Sequence, residues 1–200
     1  MSQITPILGP SKPIRLNVRG LIVTDEQFTQ LCRENPELRI ELTAQKELVI
    51  KSPTGFKTGR RNSRLSRHVD VWAEADGTGI TCDSSTLFTL PNGAKRSPDA
   101  SWISKTRLAA LSEEDQEGII SLCPDFVVEL RSLTDRLSDL QEKMQEYIAN
   151  GARLGWLIDP FERCVYVHRP GQLVEVLNDP TTLSGTPVLP GFVLPVHELW

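Results

Sequence analysis

Two hundred residues suffice for one domain with a well-covered core, and 39% hydrophobic with 24% charged residues excludes a chain disordered throughout. No apolar run approaches the roughly 20 residues of a membrane span, and residues 1–13 lack the basic start and apolar block of a signal peptide, so a cytoplasmic protein is expected. A formal net charge of −4 excludes nucleic-acid binding by bulk charge and leaves only local contacts for that purpose.

Cys32, Cys82, Cys123 and Cys164 are scattered without a C-x-x-C pair, which fits buried thiols better than a metal cluster or disulfides. Residues 1–20 read as an extended leader, because Pro6, Pro10 and Pro13 oppose helix. Thr24 and Gln27 form a T-x-x-Q capping box that predicts a helix over 25–35. Strands follow at 38–42 and 47–52, joined through 44–46, and "SPTG" at 52–55 is a turn by composition. A helix is predicted over 59–74, with Leu65, Val69 and Trp72 facing a core.

Gly77 and Gly79 stop that helix, and short strands are expected near 79–82 and 86–90. The turn Pro91-Asn92-Gly93 leads into "KRSPDASWIS" at 95–104, which puts Asp99 in strand context. A short helix near 105–112 and an acidic loop at 113–117 precede "PDFVVELRS" at 124–132. Its run Phe126-Val127-Val128 is that of a central strand covered on both faces. A helix over 134–150 carries Leu137, Leu140, Met144, Tyr147 and Ile148 inward and stops at Gly151. "RLGWLID" at 153–159 is another buried strand, and "CVYVHR" and "LVEVL" pair as a hairpin around Pro170-Gly171. Strand–helix–strand over 125–159 is the pattern of a parallel crossover. The class is therefore α/β, a mixed central sheet flanked by helices, in one domain over 21–200.

Asp99 and Glu129 each adjoin apolar strand residues, where a carboxylate is costly to desolvate unless a cation or several donors compensate it. Mg²⁺ takes one or two carboxylates and keeps its other positions for water and phosphate, so these two are candidate metal ligands. The plainer reading is that each sits solvated or salt-bridged at a strand end. Lys143 lies on the flank of its helix's apolar stripe, near Tyr147. There it either orients water or a phosphate, or snorkels to the surface. Arg131, two residues beyond Glu129, competes for the same role, and Glu41 within "IEL" is a further aid to a metal or an edge carboxylate. Lys57, Arg60, Arg61, Arg64 and Arg67 form an acid-free run in a helix's first turns, where cations oppose the dipole. A phosphate backbone would account for them, and a solvated charged face is the alternative.

"SPTG…TGRRN", "SPDASWI", "PDFVVELRS", "EKMQEYIANGARLGWLIDP" and "LSGTPVLPGF" together resemble the Uma-two family of restriction-endonuclease-like proteins, from about residue 24 to residue 195. The resemblance implies the PD-(D/E)XK nuclease fold and a Mg²⁺-dependent centre, with Mn²⁺ as substitute, that cleaves DNA phosphodiesters. By position it implies Asp99 and Glu129 as ligands, joined by the backbone carbonyl of Leu130 and, less directly, Glu41. Arg131 stands where the general pattern has lysine, and Lys143 resembles its migrated replacement. Arg60, Arg61, Arg64 and Arg67 would grip the DNA, and a homodimer would bring two centres to a duplex. Leu133 replaces a proline usual after "ELRS". The rival reading is a binding module of the same fold whose centre has lapsed, and a small-molecule phosphoesterase is a third.

Overall fold

The structure, a computed structural model, describes residues 12–200, so Pro6 and Pro10 of the expected leader lie outside the described residues. Residues beyond them do more than trail. Strand β1 (Ile14–Asn17) is part of a sheet, followed by helix α1 (Asp25–Glu34), which Thr24 and Gln27 cap reciprocally as their spacing predicts. Strands β2 (Arg39–Leu42) and β3 (Glu47–Lys51) form the expected hairpin, and β1 adds antiparallel to β3 with Ile14 opposite Ile50.

Helix α2 (Phe56–Asp76) starts earlier than predicted. Gly55 caps it from extended backbone without a side-chain hydrogen bond, so no Ser, Thr or Asp marks the start. Leu65, Val69 and Ala73 are its buried face, and Gly77 closes it at φ 71°, a left-handed conformation that glycine adopts without a Cβ clash. Next come β4 (Gly79–Asp83), β5 (Phe88–Thr89), β6 (Lys95–Arg96), β7 (Ala100–Ser104) and the short α3 (Lys105–Leu108). Residues 113–117, expected as an acidic loop, form helix α4 (Glu113–Glu117). Ser112 and Asp115 make a capping box there, and the acids favour a helix N-terminus. Strand β8 (Phe126–Leu130), helix α5 (Leu137–Ala149) and strand β9 (Leu154–Asp159) follow. The chain ends with β10 (Cys164–His168), β11 (Glu175–Asn178), β12 (Leu183–Ser184), β13 (Val193–Leu194) and a 3₁₀ turn (Val196–Leu199).

The expected mixed sheet is six-stranded, in the order β11-β10-β9-β8-β7-β4, with β8 and β9 as its parallel pair and α5 as their crossover. Beside it lies a five-stranded antiparallel sheet, β1-β3-β2-β6-β5, which sequence reading did not separate from the first. The chain passes from one sheet to the other through Ser97-Pro98-Asp99, between β6 and β7. This corner is where the site forms.

Alternation along β8 decides which side chains meet. Phe126, Val128 and Leu130 pack toward α2 and the C-terminal turn, in a core with Trp156 and Phe192. Val127 packs toward α5 with Met144, Tyr147 and Leu157. Glu129, two residues on, shares the α5 face.

Two glycines of the six-stranded sheet sit where a side chain would not fit. A Cβ on Gly79 would collide with the Trp102 ring, and one on Gly155 of β9 with the terminal methyl of Met144 on α5. A rigid buried ring cannot yield, whereas an unbranched thioether can rotate away. Gly79→Ala is therefore expected to cost about 1–3 kcal/mol in urea denaturation, and Gly155→Ala clearly less. Equal costs would show that α5 cannot adjust against β9.

Candidate active site

Pro98 has no N–H and cannot extend a ladder, so β7 begins only after it. The Asp99 N–H donates to the Val128 carbonyl at 2.9 Å, and its Oδ2 accepts the Leu130 N–H at 2.7 Å. A side chain thus supplies the acceptor that another strand residue would have given. The carboxylate is thereby fixed at the sheet's end, with Asn62 of α2 donating to Oδ1 at 3.3 Å.

Glu129 lies under α5, where Lys143 and Tyr147 stand one helical turn apart. Lys143 Nζ is 2.6 Å from Glu129 Oε1, and the Tyr147 hydroxyl donates to the same oxygen at 3.2 Å. Lys143 does not snorkel: it is 5% exposed and also meets Glu41 Oε1 at 2.9 Å and the Ser97 carbonyl at 3.1 Å. Glu41 further pairs with Lys51 at 2.7 Å and Arg96 at 3.3 Å, and Arg96 with Glu146 at 2.5 Å.

The charges are compensated unequally. Burial pushes the Glu41 carboxyl up, but Lys143, Lys51 and Arg96 together overcome it and hold the group well below the usual carboxylate range. Glu129 goes the other way: burial pushes it up to about 7, Lys143 and Lys51 offset this only in part, and Asp99 and Glu41 add to it. Burial also raises Asp99, against Lys51 and the Leu130 N–H. Burial lowers Lys51, yet Glu41, Glu129 and Asp99 outweigh it and raise the ammonium. Two carboxylates held short of full compensation in one place invite a cation.

A cleft of about 900 Å³ opens onto Asp99, Glu129, Leu130, Lys51 and Asn62. Lys143 borders a second cavity of about 670 Å³, and Glu41 and Lys51 line both. The cation beside Asp99 in the cleft is therefore Lys51, which sequence reasoning missed. Hairpin arithmetic held the signal: Glu41 pairs with Val49, which sets Lys51 diagonal to Glu41 across the ladder. Arg131, the competing cation, turns to Asp159 at 2.6 Å and lies 5.7 Å over the Phe161 ring.

Among the described residues no three His, Cys, Asp or Glu are grouped to hold an ion. The donor set that remains still suits a hard cation: two carboxylates plus neutral oxygens. Leu130 turns its N–H toward Asp99, and in a strand its carbonyl points the same way. Asn62 Oδ1 is buried without a hydrogen-bond partner. Mg²⁺ accepts such a set. Glu41 is engaged by three cations of the chain, so it acts on the site through Lys143 and Lys51 rather than as a ligand.

The arginines of α2 divide into two kinds. Arg61 Nε donates to the Leu199 carbonyl and an Arg64 guanidinium N–H to the Glu198 carbonyl, each at 2.7 Å, so these two fasten the C-terminal turn to α2. Local contacts account for Arg61 and Arg64, because cations satisfy a turn's last carbonyls. Arg60 and Arg67 stay exposed.

Glu41→Gln is expected to destabilise the protein by about 3–5 kcal/mol near neutral pH, as Lys51, Arg96 and Lys143 lose the counter-charge they share. The native pKa lies below the unfolded one, so the carboxylate's contribution is complete above the unfolded value of about 4.3. It is lost as pH falls toward the depressed native value. Urea denaturation of both proteins should therefore show the deficit shrinking below about pH 4. An undiminished deficit in acid would mean that charge is not what Glu41 contributes.

A family model, Uma2, described as "Putative restriction endonuclease", matches residues 25–197. Among solved structures, the fold is similar to that of "a putative nuclease belonging to DUF820 from Anabaena variabilis ATCC 29413". The TM-score is 0.68 at 23% identity, over 82% of this chain and 90% of that chain. A comparison with curated proteins finds no match.

Proposed function

Because the chain belongs to the Uma2 family of restriction-endonuclease-like proteins, we propose that it is a Mg²⁺-dependent endonuclease hydrolysing DNA phosphodiester bonds. The observation that carries this reading is the meeting of Asp99, from the corner before β7, and Glu129, from the adjacent strand β8, in one cleft where both carboxyls are raised. A divalent ion bound there would neutralise charge on the phosphate and lower the pKa of a bound water.

The chain's own groups do the rest. The Leu130 N–H fixes the aim of Asp99, while Tyr147 and Lys143 fix that of Glu129. Lys51 presents its ammonium to the phosphate oxygens, where charge develops as the bond breaks. Lys143, expected to position water, serves in this arrangement by holding Glu129 and Glu41 in place. The N-terminus of α2 opens onto the cleft at Gly55 and Thr58, and its positive end favours phosphate there.

Plasmid and linear DNA incubated with Mg²⁺ or Mn²⁺ should be cut, and EDTA should stop the reaction. Asp99→Asn and Glu129→Gln are expected to lose more than the roughly 100-fold that removal of an outer-shell partner costs, and Tyr147→Phe about 10–100-fold. Divalent ions should raise the melting temperature of the native protein but not of Asp99→Asn. Cleavage that survives in EDTA or in Asp99→Asn would refute the reading; DNA binding without cleavage would favour the lapsed module.

A further inference from the structure

The mouth of the cleft is apolar in a way that the carboxylates at its floor do not require. Phe56 is 85% exposed, Leu133 76% and Phe161 44%, and all three line the cavity that holds Asp99 and Glu129. They come from separate places: the start of α2, the loop between β8 and α5, and the turn after β9. Large apolar side chains scattered singly over a surface need no explanation, but three converging on one rim do.

One of these rings is deliberately held. The Phe161 N–H donates to Asp159 Oδ1 at 2.9 Å, and the Arg131 guanidinium, ion-paired to Asp159, lies over the ring. Of the four cations that line the cavity, Lys51 is paired with Glu41 and Arg39 donates to the Ser84 hydroxyl. Lys57 lines the cavity and is exposed, as is Arg60, whereas Arg61 and Arg64 are committed to the C-terminal turn. A net charge of −4 supplies no bulk attraction to a duplex backbone, so contacts other than charge must add to these local cations. Aromatic faces beside a short basic stretch supply one, because unpaired bases of any sequence stack on them.

We propose that this rim binds single-stranded DNA. Bases stack on Phe56 and Phe161 with Leu133 packing beside them, Lys57 and Arg60 hold the phosphates, and the strand reaches Asp99 and Glu129 unpaired. The cleavage rests on the nuclease reading; the binding does not.

Fluorescence anisotropy on the full chain in EDTA tests this, with a labelled oligothymidylate of about 16 nucleotides and a duplex of equal length. The single strand should bind at least about tenfold tighter. Phe56→Ala and Phe161→Ala should each weaken it by about 5- to 150-fold with the salt slope and melting temperature unchanged. Lys57→Ala should lower the salt slope by about one contact. Equal affinity for the duplex, or unaltered binding by both phenylalanine variants, overturns the proposal. So does loss of a concentration-dependent self-association in Phe56→Ala with oligothymidylate binding intact, which would make the rim a contact between protein chains. Duplex cleavage lost in Asp99→Asn but untouched by Phe56→Ala would leave the nuclease standing and remove the rim proposal. Stacking-dependent binding without cleavage in any divalent metal would do the reverse.

Discussion

Glu41 is met by cations from three different elements: Lys51 of β3, Arg96 of β6 and Lys143 of α5. Each ion taken from water costs several kcal/mol after relaxation, and only close, multiple pairing offsets that cost. The pairing therefore dictates position. It draws α5 against the five-stranded sheet, brings β3 and β6 to either side of β2, and leaves Lys143 at the right height to meet Glu129. Glu129 and Asp99 gain less from the arrangement, because the same cations must serve Glu41 first. The structure's most strongly paired carboxylate thus sets up the deficit at the two others.

Position at a sheet corner makes that deficit usable. In the middle of a sheet, Glu129 and Asp99 would be enclosed; at the passage from β6 to β7 the ladder is interrupted by Pro98 and a cleft reaches them. Both are nevertheless held by hydrogen bonds to rigid elements, a strand in one case and a helix in the other. Carboxylates fixed in this way need little reorganisation when a charged ligand arrives.

What could be read in the sequence was whatever depends on local period. The unbroken apolar run of β8, the stripe of α5 and the Thr24 cap follow from neighbours a few residues apart, and their elements lie where they were expected. The early start of α2 was hidden because Gly55 offers no capping side chain and Phe56 faces out. Helix α4 was hidden because its acids suggest a loop unless Ser112 and Asp115 are read as a pair. The second sheet was invisible for a different reason: β1 pairs with β3 thirty or more residues away, and nothing local encodes that choice. At the site, Asp99, Glu129 and Lys143 were singled out by resemblance and by carboxylates in apolar surroundings. Lys51, at the end of β3, needed the hairpin register, and the tethering of Arg61 and Arg64 needed the fold of the 3₁₀ turn at Val196–Leu199.

Leu130 and Arg131 are consecutive. The N–H of the first is bonded to Asp99 at the floor of the cleft; the side chain of the second lies against Phe161 at its mouth. A single peptide unit thus joins a carboxylate at the cleft's floor to a ring at its mouth, with the Arg131 N–H anchored to Ile158 alongside. The end of β8 therefore fixes both the aim of Asp99 at the floor and the place of the Phe161 ring at the mouth, so one strand end sets the depth of the cleft.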